Sequence, residues 1–111
     1  MISDSQLENK LFEKLHFLAE TDSKAAHLEV EAIKAKRRME AVEEAGYMVS
    51  EGTKDERFAA AHRLPDYIQS QTDYYQAELA WKEIRNKRAT AAEAIGGVRS
   101  LMANRRQGPV S

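Results

Sequence analysis

The sequence has no cysteine, only two prolines and five glycines, and its aromatic residues are one Trp, four Tyr and three Phe. The absence of cysteine excludes disulfides, zinc sites built on thiolates and thiol nucleophiles. The scarcity of glycine, proline and aromatic residues argues against a sheet protein with many turns. The rest of the composition, 42% hydrophobic and 32% charged, is rich in Ala, Glu, Lys and Arg and is typical of long amphipathic helices.

The chain also lacks an excess of charge of either sign and any long apolar run. Its 17 Lys and Arg against 18 Asp and Glu give a formal net charge of -1, so the overall charge indicates neither nucleic acid nor an anionic membrane as a partner. No apolar run approaches the roughly 20 residues of a membrane span. The opening MISDSQLENK lacks the basic and apolar regions of a signal peptide. We therefore expect a soluble intracellular protein.

A capping signal marks the start of the first helix. Ser3 can cap the helix, and Gln6 three residues later completes a capping box. Small and apolar residues then recur at spacings of three and four, and Thr21 is the only polar residue in this stripe. The pattern predicts a helix of more than forty residues.

Signals for two further helices follow a break near Gly52. Thr53 and Glu56 form a second capping box, which predicts a short helix. Pro65 suits the first position of a third helix, because the first amides of a helix need no partner within it. The predicted elements of this single domain, residues 1–111, are helices over about 4–48, about 54–63 and about 65–106, and a disordered tail over 107–111.

The two long helices are most economically folded back as an antiparallel hairpin with a short connecting helix. Such a hairpin has a narrow, alanine-rich seam, which buries little apolar area at about 25 cal/mol per Å². We therefore expect a four-helix dimer or a higher oligomer. The competing model is one continuous helix through residues 40–70 in a parallel coiled coil. The candidate oligomer seam comprises Leu11, Leu15, Leu18, Leu28, Met39, Tyr74, Trp81, Ile84, Ile95 and Val98.

The sequence contains no pattern that predicts catalysis or metal binding. A carboxylate-bridged metal bundle needs Glu-x-x-His on two helices, and Glu13-x-x-His16 occurs once without a counterpart in the third helix. Gly-rich phosphate loops, H-E-x-x-H and G-x-S-x-G do not occur. We expect no enzyme activity, no cofactor and no metal.

Clustered basic residues leave two interpretations open. Residues 1–52 carry 7 basic and 11 acidic groups, whereas residues 53–111 carry 10 and 7. The basic groups could hold a phosphate backbone while a nearby ring stacks on bases, or they could neutralise the acidic half of the chain. The candidate contacts to nucleic acid or to a protein partner are Lys82, Arg85, Lys87, Arg88 and Tyr75.

Arg88 falls on the apolar stripe of the third helix, where an unpaired charge is expensive and a paired one can fix register. If Tyr47 lies near Tyr67 in the hairpin, Asp22 or Glu29 could reach Arg88.

The segment Glu51–Arg57, followed by Leu64-Pro65-Asp66-Tyr67 and an Ala/Glu/Arg-rich helix, resembles small helical proteins of bacteriophages and prophages. The resemblance covers residues 51–106, and Thr53 stands where those proteins are expected to have Asn. Genes of that set tend to lie near genes for homologous recombination and single-strand annealing. The resemblance implies an accessory role in phage DNA metabolism in the cytoplasm of a bacterial host, and it assigns no catalytic or binding residue.

These observations favour a non-enzymatic adaptor that is accessory to DNA recombination or replication. Its expected partners are a second copy of the chain and an unidentified protein, with no membrane involved. Three alternatives stay open: an inhibitor of a host defence or repair complex, a direct binder of single-stranded nucleic acid, and a virion assembly protein.

Overall fold

Three α-helices make up the computed structural model, which describes residues 2–107. They are α1 (Asp4–Val49), α2 (Lys54–His62) and α3 (Pro65–Gln107), and the described residues contain no strand. The prediction of an all-helical protein is confirmed. The tail predicted over 107–111 lies outside the described residues, apart from Gln107, the last residue of α3. In the described part of the chain, no helix has a segment long and apolar enough to cross a membrane.

The capping box at the start of α1 forms as predicted. The Ser3 amide donates to Gln6 Oε1 at 2.8 Å, and the Gln6 amide donates to Ser3 Oγ at 3.1 Å. At the other end, the Ser50 hydroxyl donates to the Gly46 carbonyl at 2.7 Å. Both ends of α1 therefore have side chains that bond backbone groups left without a partner inside the helix.

Four non-helical residues, 50–53, separate α1 from α2, and this break excludes the continuous helix through residues 40–70. Gly52 has a positive φ of 114°, a conformation that glycine adopts without strain. Thr53 caps α2, and its hydroxyl accepts from the Glu56 amide at 3.2 Å. The same hydroxyl donates to Glu56 Oε1 at 3.1 Å. The Glu56 carboxylate thus bonds the Thr53 side chain, whereas a full capping box uses the Thr53 amide.

The chain divides into two compact units. The terminal unit combines Met1–Ala25 with Glu83–Ser111, and the turn unit is Ala26–Lys82. In the terminal unit the two helical segments run antiparallel, since Arg105 Nη1 lies 2.5 Å from Asp4 Oδ1 and Arg88 Nη2 lies 3.2 Å from Asp22 Oδ1. The buried residues of this unit are Leu7, Ala25, Ile84, Ala91, Ile95 and Val98.

The turn unit has an interior of mostly small residues. Gly46 of α1 lies against α2 so closely that a Cβ there would stand 2.9 Å from the Ala61 Cβ and 3.1 Å from its Cα. Ala61 is fully buried. Besides Gly46 and Ala61, the buried residues of the unit are Ala32, Tyr67 and Ser70. The close approach of the helices leaves room for only one large buried side chain, that of Tyr67.

Four rings join the three helices of the turn unit. The Tyr47 ring lies 4.6 Å from that of Phe58, and the His62 ring stacks on that of Tyr67 at 4.5 Å. His62 Nε2 also lies 2.5 Å from Glu43 Oε2. Burial raises the pKa of Tyr67 above its ordinary 10.0, and the Glu43 carboxylate raises it further. The two ring contacts add apolar contact between the helices, which the small buried residues of this unit supply only in part.

Replacing Gly46 with alanine tests the close approach of α1 and α2. The added Cβ overlaps the Ala61 backbone, which cannot rotate away, so we expect Gly46→Ala to have a free energy of unfolding about 1–3 kcal/mol lower than that of Gly96→Ala. Gly96→Ala is the matched control, since a Cβ there meets nothing within 4 Å and alanine favours a helix over glycine by about 1 kcal/mol. Denaturant unfolding measures both variants. A Gly46→Ala protein as stable as the control would contradict the packing described.

Candidate interaction surface

The structure places Arg88 across the seam of the terminal unit rather than in solvent. Its Nη1 donates to the Leu18 carbonyl and to Thr21 Oγ1, both at 2.7 Å, and its Nη2 donates to Asp22 Oδ1 at 3.2 Å. Thr21 in turn donates to the Phe17 carbonyl at 2.7 Å. The polar residue of the first apolar stripe thus meets the charged residue of the second. The Arg88 guanidinium therefore holds the two helical segments of the terminal unit together.

Lys82 is also held by a neighbouring side chain, here within α3 of the turn unit. Lys82 Nζ lies 2.5 Å from Glu78 Oε1, one helical turn away. Hydrogen bonds from Lys82 and then from Tyr74 lower the pKa of Glu78 below its ordinary 4.5. The bond to Glu78 raises the pKa of Tyr74 above 10.0. The Lys82 charge is therefore largely balanced locally.

The other three candidate contacts lie on the surface. Tyr75 is exposed, and its hydroxyl accepts from Gln71 Nε2 at 3.4 Å. Lys87 is exposed and lines a surface groove of the terminal unit together with Phe17 and Ala91. Arg85 is exposed and has an interaction partner of its own. The five residues do not form one continuous row of unpaired cations beside a ring.

The candidate seam residues differ widely in exposure. Ile84, Ile95 and Val98 are buried within the single chain, whereas Leu15 is 37% exposed. The remaining members are half-buried: Leu11, Leu18, Leu28, Met39, Tyr74 and Trp81. The three buried side chains pack inside the terminal unit and have little surface left for a second copy.

Large apolar side chains on the outside are the main surface feature of the turn unit. On α1, opposite its buried face, Val30 is 46% exposed and Ile33 is 45% exposed. On α3, opposite its buried face, Ile68, Tyr75 and Leu79 are 52%, 58% and 59% exposed. Met48, Val49 and Leu64 are exposed as well. This unit therefore exposes eight large apolar residues, leaves seven half-buried and buries one, Tyr67. Exposed apolar residues that share one helix face can form a surface that binds another molecule.

A group of cations lies beside Val30 and Ile33, which we call the α1 outer pair. The basic cluster consists of Lys34, Lys36, Arg37 and Arg38, all exposed. Lys34 Nζ lies 3.8 Å from Glu31 Oε1. Arg37 and Arg38 make no ion pair with any residue that the structure describes. Unpaired positive charge thus borders an exposed apolar pair on the same helix.

The histidines do not assemble into a metal centre in the described part of the chain. His16 Nε2 lies 2.9 Å from Glu20 Oε1, and His62 pairs with Glu43. Among residues 2–107, no group of three or more His, Asp or Glu side chains could hold a metal ion.

Of the exposed apolar residues on the outer faces of the turn unit, only Tyr75 was among the contacts predicted from the sequence. The spacing of the others along the sequence could have identified them. Ile68, Tyr75 and Leu79 are spaced by seven and four residues, and Val30 and Ile33 by three, so each set shares one face of its helix. A second apolar row opposite the buried stripe would have identified both faces.

Removing the Arg88 guanidinium tests whether it stabilises the fold. Arg88→Ala leaves two half-buried oxygens without their donor, so we expect a loss of about 2 kcal/mol in the free energy of unfolding. Asp22→Ala should cost much less, because its carboxylate is 80% exposed and exposed ion pairs contribute little. Arg99→Ala, an exposed cation of the same helix, is the control. Thermal or denaturant unfolding in which Arg88→Ala and Arg99→Ala coincide would contradict this role.

Comparisons of the chain with protein-family models, with curated proteins and with solved structures find no match. The phage origin implied by residues 51–106 stays a prediction.

Proposed function

We propose that the chain is a non-enzymatic interaction protein that acts through a protein partner. The observation that supports this proposal is the exposed α1 outer pair beside the basic cluster. Apolar side chains give affinity when they are removed from water, and cations at the border give orientation and a faster encounter. The partner that fits this chemistry presents an apolar patch bordered by carboxylates.

The proposed process is accessory work in DNA recombination or replication, in the cytoplasm of a bacterial host. Its support is the resemblance of residues 51–106 to small phage and prophage proteins. We further propose that the chain acts as a dimer or higher oligomer of antiparallel helices. The support for association is the predominance of exposed over buried large apolar residues in the turn unit.

Direct binding of single-stranded nucleic acid has less support than protein binding. Arg88 and Lys82 are engaged by other groups of the chain, at 2.7 Å and 2.5 Å respectively. The basic cluster is the set of cations that could bind phosphates. The segment that contains the basic cluster, residues 30–38, includes no aromatic ring on which a base could stack.

Affinity purification with paired variants tests the proposed partner surface. The tagged chain is expressed in bacterial cells together with its neighbouring genes, and the amount of each captured protein is measured. We expect Ile33→Asp, and separately Arg37→Glu with Arg38→Glu, to reduce capture of the specific partner about tenfold, as for a central residue of an interface. Phe12→Asp, at an exposed apolar residue of the terminal unit, should leave capture unchanged.

Two results would contradict the proposal. One is a captured protein whose amount does not change with Ile33→Asp. The other is tight binding of single-stranded DNA at about 0.15 M salt that Arg37→Glu with Arg38→Glu removes, with affinity falling by about 0.7 log unit per contact for each tenfold rise in salt. The second result would assign the basic cluster to nucleic acid.

A further inference from the structure

A row of apolar side chains on α3 has no partner within the turn unit. We call Ile68, Tyr75 and Leu79 the α3 outer row; each is more than half exposed. Tyr67 and Ser70, by contrast, are 8% and 4% exposed. Successive residues of a helix are about 100° apart, so the spacing of seven and four places the row on the side of α3 opposite Tyr67 and Ser70. The row therefore faces away from the interior of the turn unit.

Polar groups beside the row already have partners within α3. The Thr72 hydroxyl donates to the Ile68 carbonyl at 3.1 Å, and Gln71 Nε2 donates to the Tyr75 hydroxyl. Gln69 Nε2 donates to Asp73 Oδ1 at 2.9 Å. Burying a polar group is costly mainly when it loses its hydrogen bonds. This surface can therefore be covered without leaving these donors unpaired.

The row also lies in a stretch with little charge. From Ile68 to Leu79 the sequence reads IQSQTDYYQAEL, in which Asp73 and Glu78 are the charged residues, although 32% of the whole chain is charged. Depletion of charge is typical of the buried centre of protein–protein interfaces. A partner that covers this row thus has to match shape and apolar surface more than charge.

We propose that the α3 outer row is the surface through which two copies of the chain associate, with their α3 helices antiparallel. This inference rests on the proposed association of the chain and adds its surface and register. A two-fold interface must be complementary to itself. With the two-fold axis between Asp73 and Tyr74, Ile68 of one copy lies opposite Leu79 of the other. The small Thr72 then faces the ring of Tyr75.

Charges at the edge of the row favour the antiparallel arrangement over the parallel one. In the antiparallel register, Gln71 lies level with Gln76 and Gln69 lies level with Glu78, so no like charges meet. In a parallel register, each residue lies level with its own copy, so Asp73, Glu78 and Lys82 each lie level with a like charge. Like charges at short distance repel each other.

The exposed area of the α3 outer row indicates how strongly two copies can bind each other. This area is on the order of 350 Å² per copy, within the range of the largest apolar patch on a typical monomer. Interfaces that bury less than about 1,200 Å² in total are typical of weak complexes. We therefore expect a weak dimer, with a dissociation constant in the micromolar range.

Sedimentation equilibrium of the purified chain tests the surface. Between about 1 and 100 µM, which brackets the expected constant, the wild-type chain should pass from monomer to dimer. Leu79→Lys should weaken association at least about tenfold, because it places a charge at a central apolar contact. Phe12→Lys is the matched control, since Phe12 is a comparably exposed residue of the terminal unit. Circular dichroism checks that each variant remains helical.

Disulfide cross-linking tests the register. Because the chain has no native cysteine, only the introduced cysteines can form disulfides. Ile68→Cys and Leu79→Cys proteins should form a mixed disulfide dimer when they are combined. Neither should cross-link efficiently with itself, because identical positions lie about 16 Å apart along the antiparallel helices.

Three results would overturn the inference: a monomer over the whole concentration range, a Leu79→Lys protein that associates as strongly as the wild type, or self-cross-linking that equals mixed cross-linking. The purified chain needs no other protein in these experiments. A monomeric chain that still captures a partner through Ile33 would overturn this inference alone, and a dimer that captures none would overturn the proposed partner surface alone.

Discussion

The close approach of α1 to α2 at Gly46 determines how the turn unit can be packed. A residue without a side chain lies against the fully buried Ala61, and the helices there are too close for a large side chain to enter. Alanine, glycine and serine bury little apolar area, and the stabilisation from burial scales with that area. The ring cluster of Tyr47, Phe58, His62 and Tyr67 adds contact between the three helices. Consequently, none of the larger aliphatic residues of the unit is fully buried.

The terminal unit is packed by a different balance of interactions. It buries Leu7, Ile84, Ile95 and Val98, which are large enough to form an apolar interior without a second chain. Arg88 adds a polar anchor, because its bonds to the Leu18 carbonyl and Thr21 are made in one relative position of the helices. An apolar seam alone tolerates a shift by one turn, whereas these directional bonds do not. Association is therefore expected to matter more for the turn unit than for the terminal unit.

Local signals in the sequence predicted the helices, because caps and helix starts depend on a few adjacent residues. Ser3 with Gln6, Thr53 and Pro65 mark helix starts in the structure where their residue types indicate them. The pairing of Arg88 was predicted only in part. Asp22 is the carboxylate it contacts, but its bond to the Leu18 backbone depends on the exact register of two segments distant in sequence.

The outer surfaces were harder to predict for a related reason. A helical stripe of apolar residues reveals that a face is covered, but not which of two opposite stripes faces the interior. On α1 of the turn unit the small residues Ala32 and Gly46 are inside, whereas Val30 and Ile33 are outside. On α3 both faces carry large residues, since Tyr67 is buried while Ile68, Tyr75 and Leu79 are exposed, so residue size does not distinguish the two faces.

The turn unit has a thin interior, and we expect it to gain stability when its outer face is covered. Hydrogen exchange of backbone amides at two protein concentrations measures this directly, since it reports the stability of each segment separately. We expect amides of residues 68–79 to exchange more slowly at high protein concentration, because binding stabilises the folded state by mass action. Amides of residues 91–98 should change less. Equal exchange of residues 68–79 at both concentrations, under conditions that span monomer and dimer, would show that covering this face does not stabilise the turn unit.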